Sequence, residues 1–382
     1  MIKLYDENSY TSEFSARVTS CEECSEGYRI QLDRTAFFPT AGGQECDTGT
    51  LDGKEVLRVE IENDTIYHIL KTPLAAGDEV LGKIDWQVRF RKMQHHSAEH
   101  IVSGLAHSLF GLENVGFHLS DKEVTIDYSG PMSAEELLLL ERKANEAVHK
   151  NIKIIAEYPP EDMLCKIPYR SKLDLTENVR LVTIDGIDIC ACCAPHVKHT
   201  GEIGLIKLKD LMRHRGGVRL KMICGMDALF DYEEKLENVV RISVLLSAKQ
   251  EETADSVERL LKELAEQKQK TAALSKQLAA AKAAQIAETD GCICVFENDF
   301  DTDSLRLLAN EGKKKCRGMF VALSGSDDVG YSYIIASATV NLRDAAKEMN
   351  SVLHGRGGGR EDMIQGFFGA KRAEIEEYFS TL

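Results

Sequence analysis

Apolar and polar positions alternate with a period of two through much of residues 1–85. Tyr28-Arg29-Ile30-Gln31-Leu32 and Thr65-Ile66-Tyr67-His68-Ile69-Leu70 are two such runs, separated by Gly, Asp and Asn turns. Alternation of this kind marks strands with one buried face. Many short strands in so small a unit predict a compact barrel. The period then changes. Phe90, Met93, Ile101, Leu105 and Leu109 recur at helical spacing and predict a helix from Trp86 to about Phe110. Strands are expected around Val115 to Tyr128. Ser133-Ala134-Glu135-Glu136 reads as a capping box opening a helix to about Lys150. Strands resume at Lys153 to Tyr158, Val179 to Ile189 and Ile203 to Lys209, so residues 86–228 read as an α+β domain.

Residues 229–288 lack Pro and Gly and are rich in Ala, Leu, Glu, Lys and Gln. Val257, Leu260, Leu264, Leu274, Leu278 and Ala281 fit a and d positions of a heptad, while Gln267 and Thr271 interrupt the seam. A long helix or helical hairpin follows, acting as a spacer. Asp290-Gly291 ends it. Short apolar strands at Cys292 to Phe296, Gly318 to Leu323 and Tyr333 to Ala338 then alternate with helical stretches. They predict a small α/β domain over 289–382, carrying Gly355-Arg356-Gly357-Gly358-Gly359-Arg360. The expected fold is therefore an α+β multidomain one. It comprises an N-terminal β-barrel (1–85), an α+β domain (86–228), a long helical linker (229–288) and a Gly-rich C-terminal α/β domain (289–382).

Charge changes this picture. A net charge of −15 argues against a nucleic-acid partner, because phosphate binding calls on Lys and Arg. Such a partner would need local basic patches, which net charge does not exclude. The chain has no run of about 18 apolar residues and so no expected membrane span. Its N-terminus MIKLYDENSY lacks a basic-then-apolar leader, so the cytoplasm is the expected compartment. The 11 cysteines are odd in number and irregularly spaced, which speaks against a disulfide framework. Cys190, Cys192 and Cys193 cluster just before His196.

His96-Ser97-Ala98-Glu99-His100 is the strongest local signal. Residues four apart share a helix face, so the two imidazoles can reach one metal ion. The metalloprotease pattern places Glu directly after the first His. Here Glu99 precedes the second His, and that reading fails. A solvated polar helix face, with His95 adding to it, fits the pair equally well when it stands alone. Downstream, Cys192-Cys193-Ala194-Pro195-His196 supplies a second pair four apart. Pro195 rules out a helix interior and predicts a turn. Thiolate and imidazole are preferred zinc ligands, and two such pairs can build a tetrahedral site. Cys190, Cys193 and His199 are substitutes in the ligand set, although burial explains Cys190 and Cys193 more simply. A third segment, Thr35-Ala36-Phe37-Phe38-Pro39-Thr40-Ala41-Gly42-Gly43-Gln44 followed by Asp47-Thr48-Gly49, reads alone as a turn between strands.

In this order and spacing, the three segments resemble the editing domains of alanyl-tRNA synthetase and their free-standing relatives. That family shows F-Y-P-x-x-G-G-Q-x-x-D-x-G, then H-x-x-x-H, then C-G-G-T-H-V-x-x-T-G-E-I-G. Val115-Gly116-Phe117-His118, Thr125-Ile126-Asp127 and Arg215-Gly216-Gly217-Val218-Arg219 look like further family segments. The glycine-rich stretch with Asp362-Met363 looks like the family's C-terminal domain. The resemblance spans nearly the whole chain. One departure stands out: C-G-G-T-H reads C-C-A-P-H here, so contacts made by the two glycines and the threonine are not carried over.

The resemblance implies one Zn²⁺ held by His96, His100, Cys192 and His196. It implies an ester-hydrolysing deacylase that acts in trans on mischarged alanine tRNA, removing serine, glycine or both. Gln44, with Gly42 and Gly43, would position the ester or water, Thr35 would read a serine hydroxyl or stand as an ordinary strand residue, and Glu99 would orient a ligand or be a solvated carboxylate. Contacts to tRNA would come from Lys313, Lys314, Lys315 and Arg317, from Arg356 and Arg360, or from Lys371 and Arg372. The linker and C-terminal domain are candidates for gripping the tRNA body or for homodimerisation. A phosphoesterase sharing the C-terminal domain would need an Asp-His-His motif, and this chain has none. A non-catalytic tRNA-binding protein with a structural zinc is the other alternative, favoured by a closed four-ligand set.

Overall fold

The computed structural model describes residues 1–121, 124–164, 166–171 and 179–382. Two compact units divide at Asn238 and Val239. In the first, the alternating runs become β1 (Glu13–Cys24), β2 (Gly27–Leu32), β3 (Gly49–Leu51), β4 (Lys54–Glu62), β5 (Thr65–Leu70) and β6 (Glu79–Ile84). They close into a barrel in the order β1-β2-β5-β4-β3-β6. Along β1, Phe14, Ala16 and Val18 point inward while their neighbours are exposed. Ile30, Leu32, Leu51, Val59, Ile66 and Val80 complete that core.

Helix α1 (Trp86–Phe110) starts where the Asp85 side chain accepts from the Val88 N–H and stops at Gly111, whose φ is 67°. Only a residue that tolerates the left-handed region ends a helix this way without strain. Polar as well as apolar faces of α1 are buried, Arg89, Lys92 and His95 alongside Met93, Ile101 and Val102. Strands β7 (Asn114–Leu119) and β8 (Val124–Tyr128) follow, then α2 (Ala134–His149), whose Ser133–Glu136 capping box forms. Next come β9 (Ile154–Glu157), β10 (Leu181–Ile184) and β11 (Asp188–Ala191), then β12 (Ile206–His214) and β13 (Gly217–Cys224). They make two antiparallel sheets, β12-β13-β8-β7 and β9-β10-β11.

Two local differences from the sequence expectation have clear causes. The single strand expected over 179–189 is a hairpin, because Gly186 turns the chain with φ 69°. The strand expected from Ile203 starts at Ile206, because Thr200–Ile203 forms a 3₁₀ turn instead. Arg215 and Gly216, at φ 45° and 86°, make the tight turn between β12 and β13. Arg219 then faces Asp127 across the strands, donating from Nε at 2.6 Å and Nη2 at 2.8 Å. That ion pair ties the two sequence segments into one sheet.

Helices α3 (Met226–Leu246) and α4 (Thr253–Gln285) form the long helical stretch, broken at Ser247 with φ 49°. The heptad residues Val257, Leu260, Leu264, Leu274 and Leu278 are exposed. The packed face is instead Ala279 and Ala283, against Leu305, Leu308 and Phe320. The C-terminal sheet comprises β14 (Ile293–Glu297), β15 (Phe320–Ser326), β16 (Gly330–Ala336), β17 (Gly355–Gly359) and β18 (Met363–Phe368), in the order β14-β15-β16-β18-β17. Helices α5 (Thr302–Gly312), α6 (Leu342–Val352) and α7 (Arg372–Ser380) complete it. The glycine cluster is thus an edge strand paired with β18. None of the described cysteines forms a disulfide. Among the described residues, no helix is long and apolar enough to cross a membrane.

Candidate functional site

Helix α1 brings His96 and His100 onto one face, and the loop after β11 brings Cys192 and His196 to meet them. The donor atoms of these four residues all lie within 4.8 Å of one another. Cys192 Sγ is 3.4 Å from His96 Nε2 and 3.4 Å from His196 Nε2. Each imidazole is held through its other nitrogen. His96 Nδ1 lies 2.8 Å from Gln44 Oε1, His100 Nδ1 3.2 Å from Asp188 Oδ2, and His196 Nδ1 3.0 Å from Ser97 Oγ. An oxygen acceptor at Nδ1 selects the tautomer that leaves Nε2 with its lone pair, the form that binds a metal. Three nitrogens and one sulfur presented in this way are the donor chemistry of a zinc-type site.

Electrostatics agree. Burial opposes ionisation of the Cys192 thiol, but His96, His196 and the histidine hydrogen bonds outweigh it and hold it well below the usual cysteine range. The thiolate is the ligating form. Burial pushes His196 down to about 3, so its ring is neutral. His100 is pushed down by burial but raised further by Asp188, ending well above the ordinary value. A cation bound at Nε2 would take the place of that proton.

The Gly-Gly-Gln segment is locked against this cluster. Ala41 and Gln44 exchange backbone hydrogen bonds across a turn in which Gly42 and Gly43 have φ of 58° and 80°. Leu119 N–H donates to Gly43 O at 2.7 Å, fixing the turn on β7. A Cβ on Gly43 would stand 2.4 Å from Phe117 O. Gly43→Ala is therefore expected to lower stability by about 1–3 kcal/mol and to displace Gln44. Thermal unfolding checks this, and an unchanged midpoint would contradict it. Gln44 itself is fully buried, and its Nε2 has no hydrogen-bond partner among the described residues.

Two cations of α1 hold the same loop from below. Arg89 and Asp47, both fully buried, form a two-pronged pair, and Lys92 Nζ donates to Cys46 O at 2.7 Å. One helix thus carries two candidate ligands and the anchors of the loop that orients the first of them. On the other side, Arg180 Nη1 donates to Cys192 O at 3.0 Å and Ala194 O at 2.9 Å. These contacts fix the C-C-A-P-H loop, with Ala194 buried in the barrel core.

The cluster opens on a cavity of about 1010 Å³ whose lining includes Gly42, Gly43, Glu99, Asn114, Tyr169 and Arg170. Gly42, Gly43, His96, His100, Cys192 and Glu99 all face it, while Gln44 reaches the cluster through His96. Thr35 is placed differently. It is buried in the barrel, its Oγ1 2.8 Å from His68 Nε2 and accepting from Phe37 N–H at 3.1 Å, and it does not line the cavity. Glu99 bonds Ser103 and Asn114, so the orienting contact on His100 belongs to Asp188. Of the alternative ligands, Cys190 forms a second group with His100 and Asp188, and His199 lies in a 3₁₀ cap with Glu202.

Asp188 and Arg170 escaped sequence reasoning. Arg170 donates to Asp188 from Nε at 2.7 Å and Nη2 at 2.8 Å, so the carboxylate that holds His100 is itself clamped. Asp188 is two residues before Cys190, and its place four before Cys192 was the one available signal. Asp188→Asn is expected to weaken metal binding by about 10- to 100-fold. Chelator competition measures this, and undiminished affinity would contradict it.

In the second unit, the lysine run is paired with carboxylates: Lys313 with Asp362, Lys314 with Glu311, Lys315 with Glu288 and Arg317 with Asp290. Arg372 pairs with Glu376. Arg356, on exposed β17, lies over the Phe367 ring, and Arg360 follows at the strand end.

A barrel loop is thus locked onto a His/Cys donor set. Residues 179–243 match the Threonyl and Alanyl tRNA synthetase second additional domain, and residues 289–377 match the DHHA1 domain. Alanyl-tRNA editing protein Aarsd1 of Rattus norvegicus is 25% identical over all of this chain and 99% of its own length. The Danio rerio protein of that name is 25% identical over 96% of this chain and 94% of its own. Along nearly its full length the chain is therefore similar to alanyl-tRNA editing proteins, and two of its segments match domains named above. Alanine–tRNA ligase of Pyrococcus abyssi is 32% identical over 95% of this chain but only 41% of the ligase. The solved C-Ala domain of Aquifex aeolicus alanyl-tRNA synthetase aligns with 26% of this chain at 20% identity and a TM-score of 0.22, too slight to bear on the fold.

Proposed function

We propose that the protein is a zinc-dependent aminoacyl-tRNA deacylase that edits in trans, hydrolysing Ser-tRNA(Ala), Gly-tRNA(Ala) or both. Water splits the ester, giving the free amino acid and the 3′-terminal hydroxyl of the tRNA. The observation that carries this reading is the convergence of His96, His100, Cys192 and His196 into one donor set, of which His96, His100 and Cys192 line a cavity, where a structural site would be closed off. The match over 99% of an editing protein's length supports action in trans.

His96, His100, Cys192 and His196 would hold the zinc, and Asp188, Gln44 and Ser97 would keep their rings aimed. The bound ion would polarise the ester carbonyl or lower the pKa of a water toward ~7. Gln44 fixes His96 through Oε1 and keeps a buried amide N–H free to donate. The glycine backbone of the turn lets the reacting end of the substrate approach closely. Thr35, with its hydroxyl bonded to His68, would set the shape of the barrel behind this turn.

Such an activity meets a physical need. A pocket built for alanine separates it from an amino acid differing by one small group by only ~10- to 200-fold. A second site that hydrogen-bonds a hydroxyl discriminates by ~10⁴ or more. We read residues 1–85 and 86–228 as the editing module, 229–288 as a spacer and 289–382 as a tRNA-gripping or homodimerising module. Arg356 and Arg360 are its best-placed phosphate contacts, since Lys313, Lys314, Lys315 and Arg317 face carboxylates. The cytoplasm, where charged tRNA is used, is the compartment this reading needs.

Deacylation of Ser-, Gly- and Ala-tRNA(Ala) tests the proposal. Loss of serine or glycine with alanine retained is the expected result. Bound tRNA with no hydrolysis above background would leave a non-catalytic tRNA-binding protein.

A further inference from the structure

Glu99 is a buried carboxylate, 5% exposed, on the wall of the cavity. Its Oε1 is fully engaged, with Ser103 Oγ donating at 2.5 Å and Asn114 Nδ2 donating beside it. Both donors are themselves fixed. Asn114 Oδ1 accepts from the Gly116 N–H at 3.0 Å, which turns the Asn114 NH₂ toward Glu99. Ser103 Oγ lies 3.3 Å from Tyr128 Oη. The second oxygen, Oε2, accepts no hydrogen bond from a described residue and stands 3.9 Å from His100 Nε2.

No Lys or Arg among the described residues pairs with this carboxylate. Arg170, in the same cavity, is bound on two prongs to Asp188, and Arg180 donates to the carbonyls of Cys192 and Ala194. Glu99 also stands outside the set of donors lying within 4.8 Å of one another. His100 stands near Oε2 and Arg170 acts on the carboxylate through space, but neither donates to that oxygen, and a buried acceptor left without a donor is costly. Here neutral donors lock one oxygen and point the other at the space beside the reacting centre.

An aminoacyl ester brings a cationic donor that this oxygen can bind directly. Its α-amino group is a cation in the protonated form, and a neighbouring carboxylate favours that form. We propose that Glu99 Oε2 receives the α-ammonium of the aminoacyl ester, making the site selective for a free amine. This rests on the deacylase reading and adds a substrate-contacting residue to it. An N-acylated ester, which has no such charge, would gain nothing from this oxygen and bind less well.

Hydrolysis of Ser-tRNA(Ala) and of N-acetyl-Ser-tRNA(Ala) by the full zinc-loaded chain and by Glu99→Gln tests it. Wild type is expected to favour the free amine by about 10- to 100-fold, the contribution of one charge-assisted contact. Glu99→Gln keeps an acceptor for Ser103 and Asn114 but lacks the charge. It should raise KM for Ser-tRNA(Ala), leave the acetylated substrate unaffected and so collapse the preference, with zinc content and melting temperature unchanged. Glu99→Asp, which retains the charge, should keep most of the preference. Equal losses on both substrates would mark a general base or a packing role and overturn the proposal. Equal wild-type rates on both substrates would overturn it without any variant, and would leave the deacylase reading standing. Failure of wild type on both substrates would instead remove that reading, and the proposal with it.

Discussion

Cys192→Ala is expected to lower deacylation by at least ~10²-fold and to empty the metal site. Cys192 is the one thiol in the donor set, with its Sγ 3.4 Å from both His96 Nε2 and His196 Nε2. Its surroundings already favour the thiolate, against the opposing effect of burial. Alanine removes the anion and leaves three imidazoles, of which His100 is pulled toward its protonated form by Asp188. Protonated imidazole does not bind a metal, so at His100 the ion must displace a proton, and three neutral donors then replace a set that held one anion. Two readouts belong together: zinc per chain, expected to fall far below one, and the single-turnover rate. The same barrel and sheets should persist, because the Cys192 loop is also held by Arg180 through two carbonyls. Retained zinc and a rate near wild type would show that Cys192 is not a ligand.

The second large effect is on stability. Arg89 and Asp47 are both fully buried and linked by two hydrogen bonds, one of them at 2.8 Å. Arg89 also donates to Ser9 O at 3.0 Å and Ala36 O at 2.5 Å, while Asp47 accepts from Phe38 N–H at 2.6 Å. Every polar atom of the pair has a partner inside the protein. Asp47→Ala leaves the guanidinium buried without its counter-ion, which costs about 3–5 kcal/mol. Denaturant unfolding should show a lower midpoint. Activity should fall further than stability alone requires, because Asp47 follows Gln44 in the loop and Arg89 precedes His96 on α1. A shift below about 1 kcal/mol would contradict this account, since that is the range of an exposed pair.

How much of this was legible in the sequence depended on how local each signal is. Helix α1 runs between the residues its apolar spacing indicated, because an Asp cap and a left-handed Gly mark its ends in the chain. The ligand pairs were visible because each repeats at four residues. What orients them was not visible. Ser97 and His196 are 99 residues apart, and His100 and Asp188 are 88 apart, so no periodicity connects them. Asp127 and Arg219 meet only because β8 and β13 are neighbours, at a separation of 92 residues. The helical linker shows the opposite error of scale. Its leucine seam was locally convincing, yet the face that packs uses Ala279 and Ala283, whose small side chains let α4 lie close to α5.

The central claim is that the four-donor cluster does the hydrolysis through a bound metal. Its most direct test is the rate of Ser-tRNA(Ala) and Gly-tRNA(Ala) hydrolysis by the intact chain before chelation, after removal of the metal, and after reloading with one equivalent of Zn²⁺. The account predicts hydrolysis that disappears on chelation and returns with zinc, while folding and tRNA affinity change little. Hydrolysis that persists in metal-free protein would contradict it.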